Sequence, residues 1–424
     1  MFRTTTTAFM LLVLTGSASA QQLAGMANVV RRERAEGVGG VRVGEGVYLR
    51  LGILAEAGYD TNVFYNDLVK RDSPTVQVTP RLELTNVGRE GTPPVMQFGL
   101  SATLLYREYL SDDTTIRTQR SFNPSFSGHL GYTPSTAFSI SAVDTYSRLE
   151  DAPYVPGGAT IQRDVNTAIL DTRFTPGGGR LQNTVRYTNT LDIFEAETAS
   201  FANRLSHELM LGASYKWLPK TAIYLEGAVG YIQMLDKERA ALEQKFNSIP
   251  YRAVLELRGL LTPKTSVNLG AGYQDSIYDS ATVNPAGLSN LYGVASLSYQ
   301  PAVLTNFMIG YEHSFRDSPI IGNYFDVDAA TLVLSQQLGD FVLRGFYLYE
   351  FRRYKGAQQM MQVSRRDHLQ RAGAQADYFL QRWFFAGIGF TAQVNRSNFG
   401  EAAVAQTPAD YTKFQILGRL GIAY

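Results

Sequence analysis

The chain has no cysteine among its 424 residues. That removes disulfides, thiolate nucleophiles and cysteine metal sites together, and it suits a chain that crosses an oxidising compartment unfolded. Histidine is scarce too: His129, His207, His313 and His368 are far apart. His207-Glu208 lacks the second histidine of a zinc-binding helix and no Gly-x-Ser-x-Gly elbow occurs. No metal centre, cofactor site or catalytic residue follows from motifs, and the expectation is a protein that is not an enzyme. An excess of one charge is also missing. With 39 Lys and Arg against 38 Asp and Glu, there is no ground for a nucleic-acid partner. Long apolar runs are absent after the first twenty residues, so no spanning helix of roughly 20 residues is expected there. Yet 45% of the residues are hydrophobic, with 25 Tyr, 23 Phe and 38 Gly. A barrel that hides its apolar band in alternation reconciles the two.

The chain opens with Arg3, an apolar run from Ala8 to Leu14, then Ala18-Ser19-Ala20 before Gln21. This is the pattern of a secretory signal peptide cleaved after Ala20, and residues 1–20 are set apart from the fold. Residues 21–46 carry Leu23, Met26, Ala27 and Val30 at helical spacing, then charges from Arg31 to Glu36, then Gly37, Gly39 and Gly40. They read as a short periplasmic helix and a glycine linker. This segment is either a frayed N-terminus or a small plug in the barrel mouth.

From Val47 the apolar positions alternate with polar ones, and the pattern recurs to the end of the chain. Val47, Leu49, Leu51, Ile53, Ala55, Ala57 and Tyr59 share one face, with Tyr48, Arg50, Glu56 and Asp60 on the other. Strands are predicted over 47–59, 75–86, 95–109, 120–132, 137–149, 162–174, 180–194, 203–217, 221–235, 249–261, 265–277, 288–299, 305–315, 324–336, 341–354, 366–379, 384–395 and 411–424. The count is about eighteen, with sixteen the neighbouring even number. Tight turns at 133–136, 175–179, 218–220, 262–264, 300–302, 338–340 and 381–383 alternate with longer polar loops, as in an all-β, transmembrane, antiparallel up-and-down barrel spanning 47–424. Short turns then face the periplasm, as do both termini, and long loops face outward. Only the connection 87–94 is too long for its place. Tyr132, Phe174, Tyr215, Trp217, Tyr299, Phe379, Trp383 and Phe384 near the tight turns, and Tyr59, Phe64, Tyr106, Tyr273 and Tyr349 near the other ends, read as two aromatic girdles.

The last strand keeps Phe414, Ile416, Gly418, Leu420, Ile422 and Tyr424 on one face and Lys413, Gln415, Arg419 and Gly421 on the other. It should pair with the first strand and leave no edge. Leu420, Ile422 and the terminal Tyr424 resemble the assembly signal read by the barrel-assembly machinery.

The segment Gly58-Tyr59-Asp60-Thr61-Asn62-Val63-Phe64, the stretch Tyr106-Arg107-Glu108-Tyr109, the repeated proline turns and Gly310-Tyr311-Glu312-His313-Ser314-Phe315-Arg316-Asp317-Ser318 resemble the bacterial outer-membrane family of beta-barrel porins of the second type. The resemblance runs over nearly all of the mature chain on short, degenerate motifs. It implies an outer-membrane location and an association with exopolysaccharide export, with periplasmic export components and a polysaccharide as partners beside outer-membrane lipid. It carries no catalytic residues. Where this chain has Thr61, several members have an acidic residue.

If the apolar register faces lipid, the other faces the lumen. Candidate pore-lining charges are Arg50, Glu56, Arg81, Arg107, Arg252, Glu256, Arg258, Arg344, Glu350, Arg352, Arg371 and Arg419. They could form a selective constriction or simply cross-strand ion pairs that stiffen the wall. Tyr48, Tyr109, Tyr224, Tyr292, Phe346 and Tyr354 are candidate sugar-stacking platforms, or packing for an inward loop. The loop pair Asp112-Asp113 is a weak calcium candidate or a solvated turn. Three functions stay open: a conduit for exopolysaccharide, a general diffusion porin for small solutes, and a non-conducting structural or adhesion barrel acting through its loops.

Overall fold

A computed structural model describes residues 40–68, 70–86, 94–151, 161–280, 290–318, 324–355, 365–398 and 409–424. The expected signal peptide, the helix expected in segment 21–46 and most of the long connection 87–94 lie outside the described residues. The chain forms β1 (Val41–Gly44), β2 (Val47–Asp60), β3 (Ser73–Asn86), β4 (Met96–Tyr109), β5 (Ser121–Ser135), β6 (Phe138–Asp151), β7 (Ile161–Phe174), β8 (Leu181–Phe194), β9 (Arg204–Leu218), β10 (Thr221–Met234), β11 (Ser248–Thr262), β12 (Thr265–Tyr278), β13 (Asn290–Ala302), β14 (Thr305–Asp317), β15 (Tyr324–Leu338), β16 (Phe341–Lys355), β17 (Arg366–Gln381), β18 (Phe384–Ser397) and β19 (Tyr411–Ala423). From β2 onward each strand pairs antiparallel with the next. β19 returns to β2, with Gln415 opposite Asp60 and Ala423 opposite Gly52. The result is a closed barrel of eighteen strands, the topology that the alternation predicts.

Alternation decides which way each strand faces. Leu51 and Ile53, Leu255 and Leu257, Ile388 and Phe390, and Ile416, Leu420 and Ile422 are all exposed on the outer wall, where a lipid-facing surface requires apolar side chains. Strands of 13 to 16 residues exceed the roughly 9–11 that a tilted strand needs to cross hydrocarbon. The surplus lies at the long-loop end. There outward tyrosines donate to polar partners above them: Tyr146 to Asp164 at 2.9 Å, Tyr273 to Asp275 at 3.0 Å and Tyr311 to Asp328 at 2.7 Å. At the other rim Tyr132, Phe174, Tyr215, Trp217, Tyr299 and Trp383 stand exposed.

Three details differ from the sequence pattern. Residues 41–44, expected as the tail of a linker, form β1 and pair with β2. The turns at the two proline sites fall later than expected, because Pro134 and Pro301 lie inside β5 and β13 beside register shifts at 132/135 and 299/302. A proline without an N–H is tolerated in a strand at such a bulge. Two expected girdle residues turn inward. Phe379 is on the inner face and packs on Phe385 at a centroid distance of 5.4 Å, and Phe64 packs on the cluster of Val63, Tyr109 and Ile116.

Candidate functional site

The inner register holds the candidate charges, and ion pairs knit them into a network. Arg50 and Arg81 meet Glu83 at 3.4 and 3.2 Å. Arg107 pairs with Glu150. Arg252 bridges Glu208 and Glu226 at 2.8 and 2.9 Å, and Arg258 meets Glu256 at 2.6 Å. Arg344 reaches Asp377 at 3.3 Å, and Arg419 joins that carboxylate to Glu56 at 3.0 and 2.6 Å. Glu350 is held by Arg352 and by Arg316, the latter at 3.3 Å. Arg371 lies on the inner face of β17 opposite Leu348.

Exposure varies along this wall. Near the short turns Arg173 and Arg258 keep 43% and 44% of their side-chain surface exposed, while Arg344 at the same end keeps 5% in its pair with Asp377. Toward the long loops the wall is covered, with Asp60 at 0%, Tyr354 at 1% and Lys413 at 4%. The inner face therefore carries both solvated and buried charges, and at the long-loop end of the seam loop residues pack over it as a throat.

The throat is built at the barrel seam. Asp60, the last residue of β2, accepts hydrogen bonds from the Tyr109 hydroxyl at 3.1 Å, Gln415 Nε2 at 2.7 Å and the Asn62 backbone N–H at 3.0 Å. Its carboxylate is also 2.8 Å from Lys413 Nζ. The Asn62 amide donates to the Thr412 carbonyl at 3.1 Å. Thr61 exchanges two bonds with Phe414, backbone N–H to carbonyl at 3.0 Å and hydroxyl from backbone N–H at 2.9 Å. The first long loop then bends inward. Val63 and Phe64 pack on Tyr109 and on Ile116 of α1 (Thr114–Arg117). Tyr65, in the left-handed region at φ 53°, sets its ring edge-on to Tyr411 at 5.3 Å and 3.9 Å from Lys413 Nζ. A non-glycine residue there is strained, and the Asn66 N–H bond to Asn62 Oδ1 at 3.0 Å helps hold the turn. The two motifs Gly58–Phe64 and Tyr106–Tyr109 are thus one place in space.

Asp60→Ala is expected to cost about 3 kcal/mol, since it strands the buried Lys413 cation. Urea unfolding in micelles checks this, and the double variant Asp60→Asn with Lys413→Met should recover most of the loss.

Other long loops tie to each other. Ahead of β11, past α2 (Lys237–Leu242), Lys245 donates to the Ser318 carbonyl at 2.9 Å, and burial pulls its ammonium down to about 7. Asp113 caps α1 by accepting from Thr115 N–H at 2.8 Å and pairs with Arg71. Its carboxylate is thereby used within the loop, and its pKa is lowered chiefly by that backbone bond.

Among the aromatic candidates, Tyr109 is covered by the loop and Tyr354 lies between Phe325 at 5.1 Å and the Arg365 guanidinium at 5.0 Å. Tyr224 is buried under Arg258 at 3.9 Å. Tyr48, Tyr292 and Phe346 keep partly open rings on the inner face. Asp60, Asn62, Tyr65 and Glu150 are absent from the sequence-derived set. For Asp60 a signal existed: an Asp followed two residues later by the amide it caps is an Asx turn, here closing a strand.

A family model described as "Putative beta-barrel porin 2" matches residues 112–410. No curated protein matches the chain. Similar solved structures include the outer membrane protein opdK from Pseudomonas aeruginosa, at 13% identity and TM-score 0.46, covering 89% of this chain and 99% of that one. Acinetobacter baumannii OccAB3 has 10% identity and TM-score 0.45, with 89% and 99% covered. The siderophore receptor PirA from Pseudomonas aeruginosa has 9% identity and TM-score 0.41, with 89% and 80% covered.

Proposed function

Because the chain belongs to the Putative beta-barrel porin 2 family and is an outer-membrane β-barrel, we propose that it is a channel whose cargo is a carbohydrate polymer or its fragments. Residues 1–20 act as its cleaved leader, both termini face the periplasm and the long loops face the cell exterior. The barrel-assembly machinery inserts it, and periplasmic export components deliver the cargo. The observation that carries this reading is the charged and aromatic inner face. Eighteen strands enclose more room than their own side chains fill, and that face presents the solvated Arg173 and Arg258 together with the partly open rings of Tyr48, Tyr292 and Phe346. A ring face fits the C–H face of a sugar while the charges bind its hydroxyls. A second reading, diffusion of small solutes, is favoured by the throat at Tyr65, Tyr411 and Lys413.

Two measurements separate these. Planar-bilayer recording should give a stable conductance; none at all indicates a structural barrel. Arg173→Gln with Arg258→Gln should shift selectivity toward cations, since these two are the more solvated of the paired lumen arginines. Arg344 and Arg352 are buried in ion pairs, so their substitution would test the wall as well as the pore. Deletion should abolish surface polymer while uptake of small solutes survives; the opposite outcome selects the second reading.

A further inference from the structure

The turn between β7 and β8 and the turn between β9 and β10 stand side by side at the short-turn rim, joined by the Lys216 N–H bond to the Arg180 carbonyl at 2.8 Å. Between them is a shallow, open cavity of about 300 Å³ lined by Gly178, Gly179, Arg180, Lys216, Trp217 and Leu218. Gly177, Gly178 and Gly179 all take left-handed φ, 62°, 75° and 85°. Nothing lies within 4 Å of where a Cβ would stand on the first two, and on Gly179 it would meet Lys216 Nζ at 3.8 Å. The turn therefore brings bare backbone and an ammonium group to one concave surface. The Arg180 guanidinium lies 5.1 Å from the Tyr215 ring centroid.

Charge separates this place from most of the lumen wall. Arg186, for example, is paired with Asp171 at 2.8 Å, whereas among the described residues neither Arg180 nor Lys216 is in an ion pair. Two uncompensated cations beside a cavity fit an anion. Lys216 starts on the inward register of β9 and reaches the rim beside Gly179; against Arg180 the outer wall is apolar and exposed at Leu181, Tyr215 and Trp217, and it continues along the strands to Val185 and Leu211. A free anion has no use for that surface; acyl chains do.

We propose that this cavity binds the phosphate headgroup of an anionic glycerophospholipid, held by Arg180 and Lys216, with Trp217 at the headgroup level and the acyl chains along Leu181, Val185 and Leu211. Basic pockets at a membrane rim recognise acidic lipids by this combination of charge-assisted hydrogen bonds and apolar contact. Choosing a glycerophospholipid rests on the periplasmic placement of the short turns proposed above.

Native mass spectrometry of the full barrel in detergent, with equimolar phosphatidylglycerol and phosphatidylcholine, tests it. The wild type should retain phosphatidylglycerol about tenfold better. The double variant Arg180→Gln with Lys216→Gln should lose that preference, and Lys216→Gln alone should lose part of it, with heat-modifiable migration on gels showing that both still fold. Equal retention of the two lipids, an unchanged preference in the double variant, or displacement of phosphatidylglycerol by millimolar inorganic phosphate would overturn the proposal while leaving the orientation standing. Retention of lipid A in place of phosphatidylglycerol, lost in the same double variant, would overturn both the lipid class and the periplasmic placement of the turns.

Discussion

Gly58→Ala is expected to leave the barrel unable to close. A Cβ on Gly58 would fall on the carbonyl oxygen of Ile416 and within 2.9 Å of Leu417 Cα, both backbone atoms of β19. Neither can give way easily, because β19 is held from the other side by β18, where Phe390 stands opposite Ile416. Bulky additions to a well-packed site cost about 1–3 kcal/mol and more when backbone must move, so a loss of at least about 3 kcal/mol is expected at this position. Migration of the folded, unheated species on gels reads the effect. Gly418→Ala is the matched control: its Cβ would lie 3.6 Å from the Ala57 carbonyl, an ordinary contact on the same seam. If Gly58→Ala and Gly418→Ala fold equally well, the close approach of β2 and β19 is not what specifies glycine there.

The seam also shows how far sequence reasoning reached. Strand existence and facing were legible because a period of two is local, visible within six or eight residues. Turn positions were less so, since proline was read as the turn itself, whereas Pro134 and Pro301 only end the regular ladder. β1 escaped because four residues among glycines show too little alternation. The pairings were the least legible. Opposite signs on neighbouring strands were evident, but Arg252 reaches past β10 to Glu208 on β9 as well as Glu226 on β10, and a long guanidinium stem makes such skips routine. Asp60 and Lys413 are brought together only by closure of the barrel, and no local pattern carries that register. Of the residues that fill the throat, Val63 lies in the segment that carries the family resemblance, yet nothing local marks it or Tyr65 as buried.

Removal of Ile422, Ala423 and Tyr424 should prevent assembly altogether. These residues complete the junction: Leu51 and Tyr424 exchange backbone bonds at 2.9 and 2.8 Å, Ala423 N–H donates to the Trp383 carbonyl at 2.8 Å, and Ile422 stands between Ile53 and Phe384. Without them the ends of β2 and β18 face a gap at the short-turn rim. Unpaired backbone groups in or beside hydrocarbon cost several kcal/mol each, so a partly closed wall has no stable form in the membrane. The expected result is protein that stays unassembled and shows no heat-modifiable band. Tyr424→Ala separates the two contributions of the terminal residue, since it keeps the backbone bonds and removes only the exposed ring. Normal assembly of Tyr424→Ala beside failure of the truncation assigns the effect to closure of the ladder. Failure of both assigns it to the ring, as recognition by the assembly machinery requires. A truncated chain that still migrates as a folded barrel would show that the nine pairings between β2 and β19 are more than closure needs.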